Sequence, residues 1–279
     1  MPNEETIPIV FVHVGSKLFL QESVAQARVS NPASPIIVIG KDLCPLPDYC
    51  EIVDIEQFKN RHLFRLAYRH FSYNGYAYEL FCFQRWIVMR DFMRRRKLTR
   101  CLYLDSDVML YSNATIEAAR FEAFDVTCNR PPGINASPHC CFVMNGTALT
   151  KYVRLLLRIN LTPGGLIWLY KKFNILGRPF HCGGVNDMTL FALADDRRIL
   201  RVANMNTVQP DGTLFDGTIA RTDGMVLESG LKKITWQNGI PYATERDSGR
   251  LIRMHTLHFQ GASKSIMSSY RSTANTSAT

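Results

Sequence analysis

The chain has 279 residues, 46% apolar and 20% charged, which provides material for a sizeable core and excludes a disordered body. No apolar run approaches the ~20 residues that span a bilayer; the opening MPNEETIPIVFVHVG carries acids where a secretory signal has basic residues, and eight unevenly spaced cysteines, among them Cys82, Cys101 and Cys128 in apolar segments, predict reduced thiols and a cytoplasmic protein. The formal charge of +9, from 33 lysines and arginines against 24 acids, favours an anionic partner.

In chain order, apolar β-branched runs alternate with helical stretches: a strand at 7–14 (IPIVFVHV), a helix near 19–29, a strand at 35–40 (PIIVIG), a helix near 78–96 and a strand at 101–104 (CLYL). This is the pattern of a mostly parallel sheet with crossover helices, in which ligands bind beyond the carboxyl ends of the strands. His13 and Gly15, Gly40 to Asp42, and Asp105 with Asp107 all fall just past such ends and can face one cleft. The second helix runs into the basic stretch MRDFMRRRKLTR (89–100). Its plain reading is a solvated helix face, and its alternative is a peripheral membrane contact through residues 90–100. Interleaved aromatics are missing there, so no nucleic acid is expected.

After Leu104 the chain places Asp105 and Asp107 on either side of Ser106. In an extended chain, residues i and i+2 point to the same side, so the two carboxylates would crowd together. A shared cation relieves their repulsion. The second half continues with strand-like CFVMN (141–145), a helix near 148–159, the turn HCGGVNDM (181–188) and another helix. Turn signals at PDG, FDG and TDG follow, then a hairpin in KKITWQNGIPYA that turns at Asn238-Gly239. Gly183 and Gly184 allow close approach by a ligand, while Asn186 or Asp187 can equally cap the helix that follows. His139, Cys140, Cys141, His181 and Cys182 lack the paired spacing of a zinc site. The polar stretch SIMSSYRSTANTSAT predicts a flexible tail over 265–279.

A further motif, LHFQGASKSIM (257–267), spaces His258, Gly261 and Lys264 evenly. Together with a hydrophobic strand ending in Asp-Ser-Asp, it resembles the metal-dependent nucleotide-sugar glycosyltransferases of the GT-A fold. The His-x-x-Gly-x-x-Lys element is most similar to the glycogenin-like retaining group. The resemblance runs from IVFVHVG through Arg85-Trp86, the DSD motif and the NDM turn to HFQGASK. It implies one α/β domain over 1–264, with a Rossmann-like, mostly parallel sheet and flanking helices. About 1–110 would be the nucleotide-binding half and about 111–264 the acceptor half. It also implies Mn²⁺ or Mg²⁺ held by Asp105, Asp107 and His258, with Asp105 meeting the ribose as well. Donor contacts would come from His13, Gly15, Arg85, Asp105, Ser106, Gly184, Gly261 and Lys264, and Asp187 with Asn186 would form the catalytic pair near the anomeric carbon. A UDP-sugar is the implied donor; the acceptor, whether glycan, lipid or protein, is not marked by any motif.

The chemistry of these residue types agrees with that reading. A sugar nucleotide leaves as a diphosphate, so the site must offset growing negative charge while excluding water. Imidazole beside oxygen ligands suits Mn²⁺ better than Ca²⁺. Lys264 supplies a compact point charge, Gly261 a close backbone approach and Arg85 a second phosphate clamp. Two rivals stand beside it. A phosphatase of the haloacid dehalogenase type also ends a strand with paired aspartates, and FDGTIA (215–220) and PDGTLF (210–215) echo its motif. The nucleophilic acid those echoes require would fall on Leu214 and Gln209. The second rival is a non-catalytic nucleotide-sugar-binding protein.

Overall fold

The computed structural model describes residues 6–131, 135–177 and 183–272. The first half contains β1 (Ile9–Val14), α1 (Leu18–Ser30), β2 (Ile36–Lys41), β3 (Cys50–Asp54), α2 (Asn60–Ala67), α3 (Tyr76–Arg96) and β4 (Cys101–Leu104). Burial runs almost unbroken along β1, β2 and β4, which is why their sequences are continuous apolar runs rather than alternations. α3 closes on Arg94, Arg95 and Arg96, where cations oppose the negative end of the helix dipole, and Lys97 ends it in the left-handed region at φ 54°.

Next come β5 (Val108–Leu110), α4 (Ala114–Ala118), β6 (Val126–Cys128), β7 (Cys140–Val143), α5 (Gly146–Leu161), α6 (Pro163–Gly177), α7 (Asp187–Asp196) and β8 (Val202–Asn204). The central sheet has the order β3-β2-β1-β4-β7-β6-β8, and β7 alone runs against its neighbours. The mostly parallel α/β class expected from the sequence is therefore present. Strand order reverses between β1 and β4, and His13 and Asp105 lie at the carboxyl ends of those two strands, the place where open sheets bind ligands.

The remaining strands are β9 (Thr213–Phe215), β10 (Leu227–Glu228), β11 (Leu231–Lys232), β12 (Ile234–Gln237), β13 (Ile240–Thr244) and β14 (Leu251–His258). The β12–β13 hairpin turns at Asn238 and Gly239 with φ 50° and 74°, the double positive φ that an Asn-Gly turn supplies. β14 lies between β13 and β5 in a second sheet and pairs antiparallel with β5, setting His258 opposite Val108.

Two expectations change. The DSD stretch is a turn rather than an extended end, because the Val108 amide donates to the Asp105 carbonyl at 3.1 Å, so alternation is not what brings the acids together. Both belong to this one tight turn, which links β4 and β5 of two different sheets. Secondly, residues 265–272 are not a free tail. Gly261–Tyr270 form a 3₁₀ run, and Ile266, Met267 and Tyr270 join the apolar cluster around Phe259. Tyr111 Oη donates to the Tyr270 carbonyl at 2.8 Å, and the Ser272 amide to Gln26 Oε1 at 2.8 Å. Residues 273–279 lie outside the described residues.

Candidate active site

The β14–β5 register builds the first half of the site. Pairing carries the chain past His258 so that the Phe259 amide donates to the Asp107 carbonyl at 2.8 Å. His258 Nε2 then sits 3.6 Å from Asp107 Oδ1, and Lys264 Nζ 2.9 Å from Asp107 Oδ2. His258 Nδ1 is 2.8 Å from the Gly217 carbonyl, which can only accept. Nδ1 therefore carries a proton, and Nε2 is the ring nitrogen turned toward the carboxylate. An imidazole nitrogen and a carboxylate facing each other in this way are residue types that can share a cation.

A buried scaffold fixes the His258 ring. It stacks on His139 with centroids 4.0 Å apart and planes 16° from parallel. Burial, reinforced by the neighbouring imidazole, pushes the His139 pKa well down, so that ring remains neutral. His139 Nε2 is 2.8 Å from the Asp216 carbonyl, and the His258 amide donates to Asp216 Oδ2 at 3.0 Å. Asp216 is fully buried and paired with Lys232 Nζ at 2.7 Å; that ammonium also donates to the Thr218 carbonyl at 2.6 Å and to Asp223 Oδ2 at 3.1 Å. Such outer partners orient a ligating ring. Asp216 is the residue sequence reasoning missed: it was visible only as the acid of FDGTIA, and its pairing with Lys232 follows no periodicity.

Another wall of the candidate site gathers around the same turn. Ser106 Oγ is 2.9 Å from His13 Nδ1, while His13 Nε2 is buried without a partner. Burial lowers the His13 pKa. Phe19 meets the His13 ring edge-on at 5.8 Å and lies 4.9 Å beneath the Lys264 ammonium. Gly15 and Gly261 adopt φ 95° and 67°, with open space where a side chain would point.

The second half is organised by α3. Arg85 reaches Asp105 Oδ1 at 2.6 Å, Tyr103 Oη at 3.0 Å and Asp187 Oδ2 at 2.6 Å, and Trp86 Nε1 donates to the same Asp187 oxygen at 2.9 Å. Consecutive residues of one helix thus tie the DSD turn to the start of α7. Burial pushes the Asp105 carboxyl up; Arg85 opposes this and the charge of Asp107 adds to it. Asp105 turns toward Arg85, and no three acid, histidine or cysteine side chains form a ready-made metal cage among the described residues. Asp107 and His258 are together, and Asp105 stands beside them on its own clamp.

At the glycine turn, Gly184 has φ 89°, and a Cβ there would lie 2.7 Å from the Phe71 carbonyl oxygen and 2.8 Å from Ser72 Cα. The close approach visible in the structure is therefore to the 71–72 backbone. His181 and Cys182 lie outside the described residues. Asn186 caps α7 in a reciprocal box with Thr189, and Asp187 is almost fully buried. Asn186→Ala is expected to lower stability by about 1 kcal/mol, measured by urea unfolding; an unchanged midpoint would show that the cap contributes nothing. Beside His258 opens a cavity of about 270 Å³, lined in part by Asn129, Asn135, Met188, Arg221 and Gln260. Asn129 Oδ1 is buried there without a partner.

No protein-family model matches the chain, and no curated protein matches it in sequence. Among solved structures it is similar to mouse xyloside xylosyltransferase 1, at 13% identity and a TM-score of 0.46, over 72% of this chain and 85% of that one. It is also similar to a glycosyltransferase involved in glycosylation of the major capsid of PBCV-1, at 14% identity and a TM-score of 0.40, over 74% and 85%. The galactosyltransferase LgtC aligns at 10% identity and a TM-score of 0.35, over 72% and 74%. With GlyE of Streptococcus pneumoniae the match spans only 46% of that protein. These overlaps are partial, so the chemistry is read from the site itself. The chain has a mixed α/β fold with a mostly parallel central sheet, and the solved structures to which it is similar in part are glycosyltransferases.

Proposed function

We propose that the chain transfers a sugar from a nucleotide diphosphate, a UDP-sugar by motif resemblance, to an acceptor, using Mn²⁺ or Mg²⁺ at Asp107, His258 and Asp105. The supporting observation is His258 Nε2 held 3.6 Å from the Asp107 carboxylate, with Lys264 on the other oxygen. When bound, the metal would offset the charge of the departing diphosphate. Lys264, now on Asp107, would be free to meet the phosphates if a metal held that carboxylate. His13 offers its unpartnered Nε2 to the donor, with Ser106 fixing the ring, and Gly15 and Gly261 leave the backbone accessible. Arg85 bridges Asp105 and Asp187, so its part is to position them. Asp187, with Asn186 securing its helix, is assigned to the sugar end by resemblance, as are Gly184 and a retaining outcome.

The nucleotide half is taken as about 1–110 and the acceptor half as about 111–264. The seven cysteines among the described residues are unpaired; a cytoplasmic setting remains part of the proposal. No helix among the described residues is long and apolar enough to cross a membrane. Because Lys264 and His258 answer to different partners, donor and metal together should slow hydrogen exchange across 258–264 more than either alone. Exchange there that ignores UDP plus Mn²⁺ would remove both residues from the site.

A further inference from the structure

Away from the β4 end of the sheet, α2, α3 and α5 enclose a groove of about 590 Å³ floored by Phe64, Ala67, Ile87, Val153 and Leu157. Its rim exposes Leu63 by 64%, Leu66 by 77% and Leu161 by 59%, apolar side chains standing outward with nothing covering them among the described residues. Leu63 and Leu66 lie one turn apart on α2, beside the face that buries Phe64 and Ala67. Arg94 lines the same groove, nine residues along α3 from Arg85 and so roughly 13 Å farther along the helix axis.

The charge around these leucines has one sign. Residues 59–70 contain four lysines or arginines and no acid, and α5 contains three and no acid. The local acids are already engaged: Glu51 by Arg96, Glu56 by Arg61 and Asp91 by Arg90. Arg65, Arg94, Arg154 and Arg158 are exposed and make no ion pair among the described residues. Outward leucines ringed by unpaired arginines have the chemistry of a surface that enters the headgroup boundary of an anionic bilayer, apolar tips inward and guanidinium groups at the phosphates.

We propose that this face, α2 with the adjoining surfaces of α3 and α5, docks the protein on anionic phospholipid membranes. The basic run at the end of α3 is one edge of the surface, and the leucines of α2 and α5 are its insertion points. The inference does not depend on the transferase reading, since it concerns another face and is tested without donor or metal.

The experiment is co-sedimentation of the full chain with phosphatidylcholine vesicles and with phosphatidylcholine vesicles containing phosphatidylglycerol. Binding is expected to the anionic vesicles only and to weaken with added salt. Leu63→Ser/Leu66→Ser and Arg94→Gln/Arg158→Gln should each lower that binding by about tenfold or more. All four positions are exposed, and an unchanged melting temperature confirms folding. No binding to anionic vesicles would overturn the proposal, as would binding indifferent to the leucine pair. A dimer in light scattering that the leucine pair converts to monomer would assign the face to a second copy of the chain instead.

Discussion

Asp107→Asn is expected to abolish metal-dependent donor binding and to reduce turnover by about three orders of magnitude, the scale of removing a principal electrostatic stabiliser. The amide keeps the shape of the side chain, and the backbone bond from Phe259 to the Asp107 carbonyl is untouched, so the fold should survive. What is lost is the charge that faces His258 Nε2 and Lys264. Asp105→Asn should do less to metal affinity, because that carboxylate is already clamped by Arg85 and Tyr103. Calorimetry with Mn²⁺ and UDP on the two purified variants separates them. Donor affinity that is unchanged in Asp107→Asn would take the DSD turn out of the active site.

The largest stability effect is expected at Arg85. Its guanidinium is the common partner of Asp105 and of the almost fully buried Asp187. Arg85→Met retains much of the packing against Trp86 and Tyr103 but leaves two enclosed carboxylates with no cation between them. Breaking one partner of a buried pair costs about 3–5 kcal/mol, and urea unfolding should show a loss of that size. Arg85→Met/Asp187→Leu, which removes an orphaned acid together with its partner, should recover part of it. A single variant as stable as the parent would mean that Arg85 does not hold these carboxylates in solution.

The sequence was most legible where a local pattern has one physical solution. The unbroken apolar runs of β1, β2 and β4 could only be buried strands, and Asn238-Gly239 could only be a tight hairpin turn. The motifs around Asp107, His258 and Lys264 were also visible, and the structure brings those three together. What was hidden depends on pairing between distant segments. His258 reaches Asp107 through the register of β14 on β5, which no local pattern encodes. The Asp216–Lys232 pair and the double grip of Arg85 are likewise contacts across the fold. The tail misled because its serines outweighed Ile266, Met267 and Tyr270, which dock on the core as a group.

The most direct measurement is UDP release from a panel of UDP-sugars by the purified chain, with Mn²⁺ and with chelator, alongside Asp107→Asn and His258→Ala. Release that requires the metal and vanishes in both variants is the expected result. Release that continues in chelator, or at parental rate in either variant, would contradict a metal-assisted transfer at this site, and so would the absence of release from every UDP-sugar despite tight metal-dependent binding of UDP.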